Sequence, residues 1–202
     1  SDDNHEMDID VPKLEGEQSG LYAPINDDIE KLTNSLMNKF YEDLELIGTE
    51  GHSSVYADYE MVTNTDKWFT LKICVYEIAG SGNIYYKYYH LDKLNQKAVQ
   101  LSDIVSDNKF YDIVKDEIEK QMIEAMKKDA NLVYWIKDNI YGNDIVIIDE
   151  KHNFYWDKDG NIVIPFDKYE VAPGYMGTPE FTIDKNIIKD NLKKEFTSVI
   201  KE

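Results

Sequence analysis

Four histidines, one cysteine and 40 carboxylates are the groups in this 202-residue chain most able to do chemistry. Their spacing assembles none of the familiar reaction centres. His5, His52, His90 and His152 stand apart with no H-E-x-x-H pair, so a zinc site would have to be gathered from scattered His and Asp. His52-Ser53-Ser54 sets an imidazole beside two hydroxyls, but sequence neighbours on a strand point to opposite faces, and a structural role is expected. Asp157-x-Asp159-x-Asn161 opens like a calcium loop. Ile162 then stands where such a loop needs Gly, and Lys168 where it closes with a bidentate Glu, so an Asp-Gly hairpin turn is the better reading. Glycine-rich phosphate cradles and the G-x-S-x-G nucleophile turn are absent. Acid pairs suited to glycoside hydrolysis are always available among 40 carboxylates and decide nothing. The lone Cys74 excludes an intrachain disulfide and a multi-cysteine metal site, and its alternating strand context predicts a half-buried, inert thiol. The expectation is a protein that is not an enzyme and carries no cofactor or metal.

Recognition is the chemistry the sequence supports better. Phe166-Asp167-Lys168-Tyr169-Glu170-Val171-Ala172-Pro173-Gly174-Tyr175-Met176-Gly177-Thr178-Pro179-Glu180-Phe181-Thr182-Ile183 reads as a strand end, a loop with two Gly and two Pro, and another strand. Gly174 and Gly177 permit positive φ, and Pro173 and Pro179 stiffen the entry and exit. Tyr175 and Met176 are expected at the tip. A stiff loop presenting a ring and a soft apolar side chain loses little entropy on binding. An ordinary crossover loop with Tyr175 folded inward has the same composition. Tyrosine is abundant, 15 residues, and Tyr85-Tyr86-Lys87-Tyr88-Tyr89 places rings on both faces of a strand. Such rings suit a half-exposed recognition surface or a sheet face packed under helices.

The charge balance narrows the partners. Forty acids against 22 bases give −18 and a pI near 4.5, which disfavours nucleic acid and anionic headgroups and suits a basic partner or a solubilising surface. Residues 1–30 hold ten acids and one Lys; the other −9 is spread over residues 31–202. Every base is Lys, so bidentate Arg clamps are not available. At 42% hydrophobic residues the chain can bury a real core, and no apolar run reaches the roughly 18 residues of a membrane helix. Beginning at Ser1 without a secretory apolar segment, it reads as a processed product or a soluble part of something longer.

The elements that must position these residues follow from periodicity. Residues 1–8 read as a flexible acidic tail, and Ile9, Val11 and Leu14 as a short strand broken by Pro12. Ile25, Ile29, Leu32, Leu36 and Phe40 predict a helix from about 26 to 46, capped by Asn26 and ended by Gly48 and Gly51. Residues 53–63 and 67–79 form a predicted hairpin, with Phe69, Leu71, Ile73 and Val75 on one face. Gly80-Ser81-Gly82-Asn83 is a turn, Ile84–His90 a strand, and Asp92–Asn95 another turn. Ser102 or Asp107 caps an amphipathic helix that runs to about Lys128. Strands are expected at 145–148, 153–156, 162–166 and 180–183, and a terminal helix at 184–200 with Asp184 as its cap. The fold class is α+β: antiparallel hairpins packed with about three amphipathic helices. Residues 9–202 are expected to form a single domain with halves 9–100 and 101–202.

The segment at 166–183 is similar to the signature of the C-terminal domain of bacterial surface proteins related to the anti-sigma-V factor, a domain of unknown function also found beside some peptidoglycan deacetylases. VYWIKDN (133–139), NFYWDKDGNIVIPFDKYEVAPGYMG (153–177) and the order of elements in the N-terminal half, with its Gly80-Ser81-Gly82 turn, extend the resemblance over most of residues 9–200. The resemblance implies the extracytoplasmic sensor of a single-pass membrane anti-sigma factor. In that family the outer domain binds C-type lysozyme, regulated proteolysis follows, and a sigma factor held by a cytoplasmic part is released to switch on lysozyme-resistance genes. Carried onto this chain, the lysozyme contacts fall on Pro173, Gly174, Tyr175, Met176 and Gly177, with Ser81 and Gly82 as a second contact. Sigma factor and membrane would be met through segments absent here. Two other readings stand beside it: the non-catalytic, glycan-binding half of a deacetylase-type surface protein, and a hydrolase with an unrecognised site.

Overall fold

The computed structural model describes residues 5–16, 19–47, 51–79, 81–138, 140–197 and 199. Two compact units emerge, residues 1–64 with 69–98, and residues 65–68 with 99–202.

The first unit is a sheet with a long helix on one face. Strand β1 (His5–Ile9), helix α1 (Ser19–Ile47) and strands β2 (Ser53–Asn64), β3 (Trp68–Ala79), β4 (Ser81–Asp92) and β5 (Lys97–Val99) follow in order, and the sheet order is β1-β2-β3-β4-β5. β2 and β3 pair antiparallel, Tyr56 opposite Tyr76, with an irregularity between Met61 and Thr63. β1 pairs parallel to β2 after the α1 crossover, a parallel pair that periodicity did not suggest. Ile25, Ile29, Leu32, Leu36 and Phe40 of α1 are buried with Val55, Ala57, Phe69, Leu71, Ile73 and Val75. These are the helical and alternating positions expected from sequence, and each full burial stabilises by roughly 1.5–3 kcal/mol.

Several boundaries differ from expectation. β1 begins at His5, inside the stretch read as a flexible tail, and Val11 and Leu14 follow it as loop. α1 starts at Ser19 and carries Pro24 within it. Asn26 is therefore no cap: its side chain accepts from the Leu14 amide (2.8 Å) and donates to the Leu14 carbonyl (2.9 Å), clamping the loop before the helix. Ser81 and Gly82 open β4 instead of lying in a free turn, and Gly80, like Gly48, falls outside the described residues.

In the second unit α2 (Leu101–Ile104) and α3 (Lys109–Lys128) precede short strands β6 (Tyr155–Trp156), β7 (Ile162–Pro165) and β8 (Glu180–Ile183), ordered β6-β7-β8. α3 buries Phe110, Val114, Ile118 and Met122 on one stripe. The β6–β7 turn closes on Asp157, whose carboxylate accepts from the Asp159 and Asn161 amides and the Asn161 side chain; all three partners are donors, the opposite of a cation site. Gly160 takes φ +78° there. Residues 145–148 alternate in burial without forming a named strand. The expected terminal helix is a four-residue α4 (Lys185–Ile188), N-capped by Asp184, followed by 3₁₀ turns at Lys189–Asn191 and Lys194–Phe196.

Candidate functional site

The segment singled out by sequence connects β7 to β8. The ladder ends on Pro165 opposite Glu180, and one further bond, Phe166 amide to Pro179 carbonyl at 2.9 Å, closes the loop's neck. Beneath it Phe166 is 1% exposed and meets Phe181 edge-on at 5.8 Å; Phe181 in turn meets Tyr134 at 5.6 Å. The loop is rooted again at its middle. Val171 and Ala172 are buried, and the Val171 carbonyl accepts from the Trp135 amide at 2.7 Å. Loop backbone is thus held by core side chains and by the irregular segment that carries Trp135.

From that root the chain turns outward. Pro173 adopts φ −60°, ψ 150°, and Gly174–Met176 form a 3₁₀ turn closed by the Met176 amide on the Pro173 carbonyl at 2.9 Å. Gly177 has φ +70° and ψ −132°, a conformation for which glycine is required. Gly174 serves a different purpose from the expected one. It has no positive φ; a Cβ there would lie 2.3 Å from carbon atoms of the Tyr169 ring. Tyr169 itself has φ +71°, and Lys168 Nζ lies 5.0 Å from its ring centroid. The glycine is the seat of a ring.

Tyr175 is 70% exposed, while Pro173, Met176 and Gly177 are half-buried. The Tyr175 hydroxyl donates to the Asn131 carbonyl at 3.0 Å, which fixes the ring's direction while leaving most of its surface in water. Sequence reading missed Asn131, Trp135 and the seating role of Tyr169. The first two act through backbone atoms, which leave no trace in side-chain type. Charge lies at the base: the Glu170 carboxylate accepts from the Asp167 amide at 2.7 Å, and burial pushes its pKa up. Under Phe166, a ring nitrogen of His152 lies 3.1 Å from the Pro165 carbonyl, and burial pushes the His152 pKa down.

Ser81 and Gly82 belong to the first unit. Ser81 is exposed. A Cβ at Gly82 would lie 2.6 Å from the Tyr76 hydroxyl, so this glycine too seats a tyrosine. Among the described residues no three His, Cys, Asp or Glu side chains converge as metal ligands.

Residues 102–198 match DUF3298, a family described as a protein of unknown function. Over 194 residues the chain is 32% identical to the anti-sigma-V factor RsiV of Bacillus subtilis strain 168, an alignment covering 96% of this chain and 67% of that protein. The chain belongs to the anti-sigma-V factor family. Solved structures agree on the fold. A DUF3298 member from Bacteroides fragilis NCTC 9343 superposes with a TM-score of 0.61 at 18% identity, covering 93% of this chain and 74% of that one. A DUF3298 protein from Pseudomonas aeruginosa PAO1 gives 0.56 at 17% identity, covering 78% and 70%. The anti-sigma-V resemblance thus reaches through both units, whereas the DUF3298 match lies within the second, which carries the Tyr175 loop.

Proposed function

We propose that this chain is the extracytoplasmic sensor domain of a membrane anti-sigma factor, that it is a binding module and not an enzyme, and that its ligand is a C-type lysozyme. The observation that carries the reading is the Tyr175 tip: an uncharged, outward ring on a loop pinned at Phe166, Val171 and Asn131. Such a tip enters a cleft lined by carboxylates without adding a like charge to them, and its ordering cost is met before binding. Pro173–Gly177 make the principal contact, with Ser81 and Gly82 as the second. The charge of −18 attracts a basic partner and accelerates encounter. Occupancy of the sensor then licenses regulated proteolysis and release of a sigma factor held by a cytoplasmic part. No helix among the described residues is long and apolar enough to cross a membrane, so anchoring is assigned to a segment outside these residues.

The test is inhibition. A stoichiometric amount of this chain should abolish the loss of turbidity that lysozyme causes in a cell-wall suspension. Association should slow as salt rises, because long-range attraction is screened. Full lytic activity in a saturated complex would place the loop outside the cleft, and an on-rate indifferent to salt would remove steering from the account.

A further inference from the structure

On the sheet face opposite α1, Trp68 and Thr70 are buried, but the stretch from Lys72 to Tyr76 with its β1 and β2 neighbours is aromatic, acidic and partly exposed. Strand register puts Glu6, Asp8, Tyr56, Asp58 and Glu60 on the same side as their neighbours Tyr76, Cys74 and Lys72. Glu6, Asp8, Asp58 and Glu60 are exposed, and Tyr56 and Tyr76 are half-exposed. The Tyr56 and Tyr76 rings stack with centroids 6.2 Å apart and planes 21° from parallel. Their positions are fixed from both ends: the Tyr56 hydroxyl donates to Glu6 at 2.8 Å, and Tyr76 lies in the gap left by Gly82. The same face already holds a cation. Lys72 Nζ sits 4.2 Å from the Tyr86 ring centroid and 5.9 Å from that of Tyr88. Tyrosine faces attract ammonium and guanidinium groups, the more so where carboxylates flank them.

We propose that the Tyr56–Tyr76 pair, with Asp8 and Asp58 at its rim, is a docking surface for arginine or lysine side chains of a basic protein. Naming that protein as the lysozyme of the preceding section rests on that reading; the cation-accepting chemistry does not. The argument for the occupant is charge complementarity. β1 and β2 present four carboxylates on this face, Glu6, Asp8, Asp58 and Glu60, and Lys72 of β3 is already over Tyr86. A chain of net charge −18 repels acidic polymers from such a face. Gly82 acquires a second meaning here, because the contact proposed at Ser81 and Gly82 runs directly into the seated Tyr76 ring.

The experiment is an NMR titration of the isotope-labelled chain with tetra-arginine amide, with tetraglutamate and a neutral chitin oligosaccharide as separate arms. Saturable shifts concentrated on Tyr56, Tyr76 and Asp58, for the arginine probe alone, are expected. The Asp8→Asn/Asp58→Asn variant, its thermal melt unchanged, should weaken the arginine probe by about threefold or more and slow lysozyme association by a similar factor. Arginine shifts spread evenly over the acidic surface would overturn the proposal, as would a focused response to the oligosaccharide in place of arginine. If arginine maps to the tyrosine pair but lysozyme does not bind the unaltered chain, the lysozyme reading falls and this surface stands. If lysozyme binds equally well to the Asp8→Asn/Asp58→Asn variant and arginine is unfocused, the surface falls and the lysozyme reading stands.

Discussion

In the first unit three 12-residue strands and a 29-residue helix hold most of the backbone in regular ladders. In the second, β6, β7 and β8 span two to four residues, and long irregular stretches run between them. What replaces the ladders is aspartate. Asp129, Asp138, Asp149, Asp157 and Asp184 each accept the amide two residues ahead, at 2.7 to 2.9 Å. Such turns satisfy backbone groups locally where no neighbouring strand does so. The consequence is a division of surfaces. A regular sheet presents a broad face, as at Tyr56 and Tyr76. An irregular chain anchored at a few points presents a single tip, as at Tyr175. A tip fails when its root fails, whereas a face loses strength by degrees.

The strongest way to break this contrast is at the root. Phe166→Ala removes a ring that is 1% exposed between His152 and Phe181, and it should cost about 3–5 kcal/mol. Amide hydrogen exchange should show the second unit opening while the first unit's β2–β3 ladder stays protected. Uniform deprotection of both would show that the units melt as one.

Tyr175→Ala sharpens the contrast from the other side. The ring is 70% exposed and its hydroxyl donates to the Asn131 carbonyl, so thermal stability should hardly change on its removal. Binding to lysozyme should weaken by about 2–4 kcal/mol, roughly 30- to 1000-fold. Calorimetric titration and a thermal melt on the same sample separate the two effects; unfolding would make Tyr175 a structural residue. Gly174→Ala is the intermediate case. Its Cβ would overlap the Tyr169 ring, which must swing aside at a cost of about 1–2 kcal/mol. Stability should fall by that amount and lysozyme affinity by about tenfold, because the 3₁₀ turn that aims Tyr175 shifts with it. Restored affinity on adding Tyr169→Gly would confirm that ring and methyl compete for one space.

What was legible in the sequence follows the same division. Phe69, Leu71, Ile73 and Val75 alternate, and the sheet face they predict is the one that α1 covers. The α3 stripe and the Asp157–Gly160 turn are local patterns and were equally readable. Segments whose conformation depends on a distant partner were not. Ile188, Leu192 and Phe196 keep helical spacing and are all buried. Yet the Ser106 amide bonds to the Asn191 carbonyl, the Lys193 amide to the Ile104 carbonyl, and Val105 pairs with Leu192, so this backbone leaves the helix to complete another element. Residues 145–148 show the converse: Val146 and Ile148 are buried and Ile147 is exposed, a strand's alternation, without an extended ladder beside it. At the site, the composition of the loop left Tyr175 either projecting or folded inward, and the structure leaves it 70% exposed. The Tyr169 seat on Gly174 was not, because a glycine needed for close approach looks the same in sequence as one needed for positive φ. Several of the aspartates also close their own turns and keep their charge while doing so, a second role that composition does not display.

The smallest expected effect concerns acid. In the first unit Asp28 lies below its usual 3.8, and Tyr56, Cys74 and Tyr89 are raised from values of 9 or above. None of these changes protonation between pH 7.5 and 5.5. His152 in the second unit does. Burial lowers its folded-state pKa below the ordinary 6.5, so an unfolded chain takes up a proton there before the folded chain does. The stabilisation is fully present above pH 6.5 and is lost as pH falls toward the lowered value. Glu170, raised above 4.5, works in the opposite direction as pH falls toward its raised value, because the folded form binds its proton more readily. Acidification to pH 5.5 should therefore lower the melting temperature of the second unit modestly. His152→Gln keeps a side-chain N–H for the Pro165 carbonyl but cannot titrate, so the downward slope of the melting temperature should disappear in this variant. A downward slope that persists in His152→Gln would move the acid sensitivity to another group and away from the neck of the Tyr175 loop.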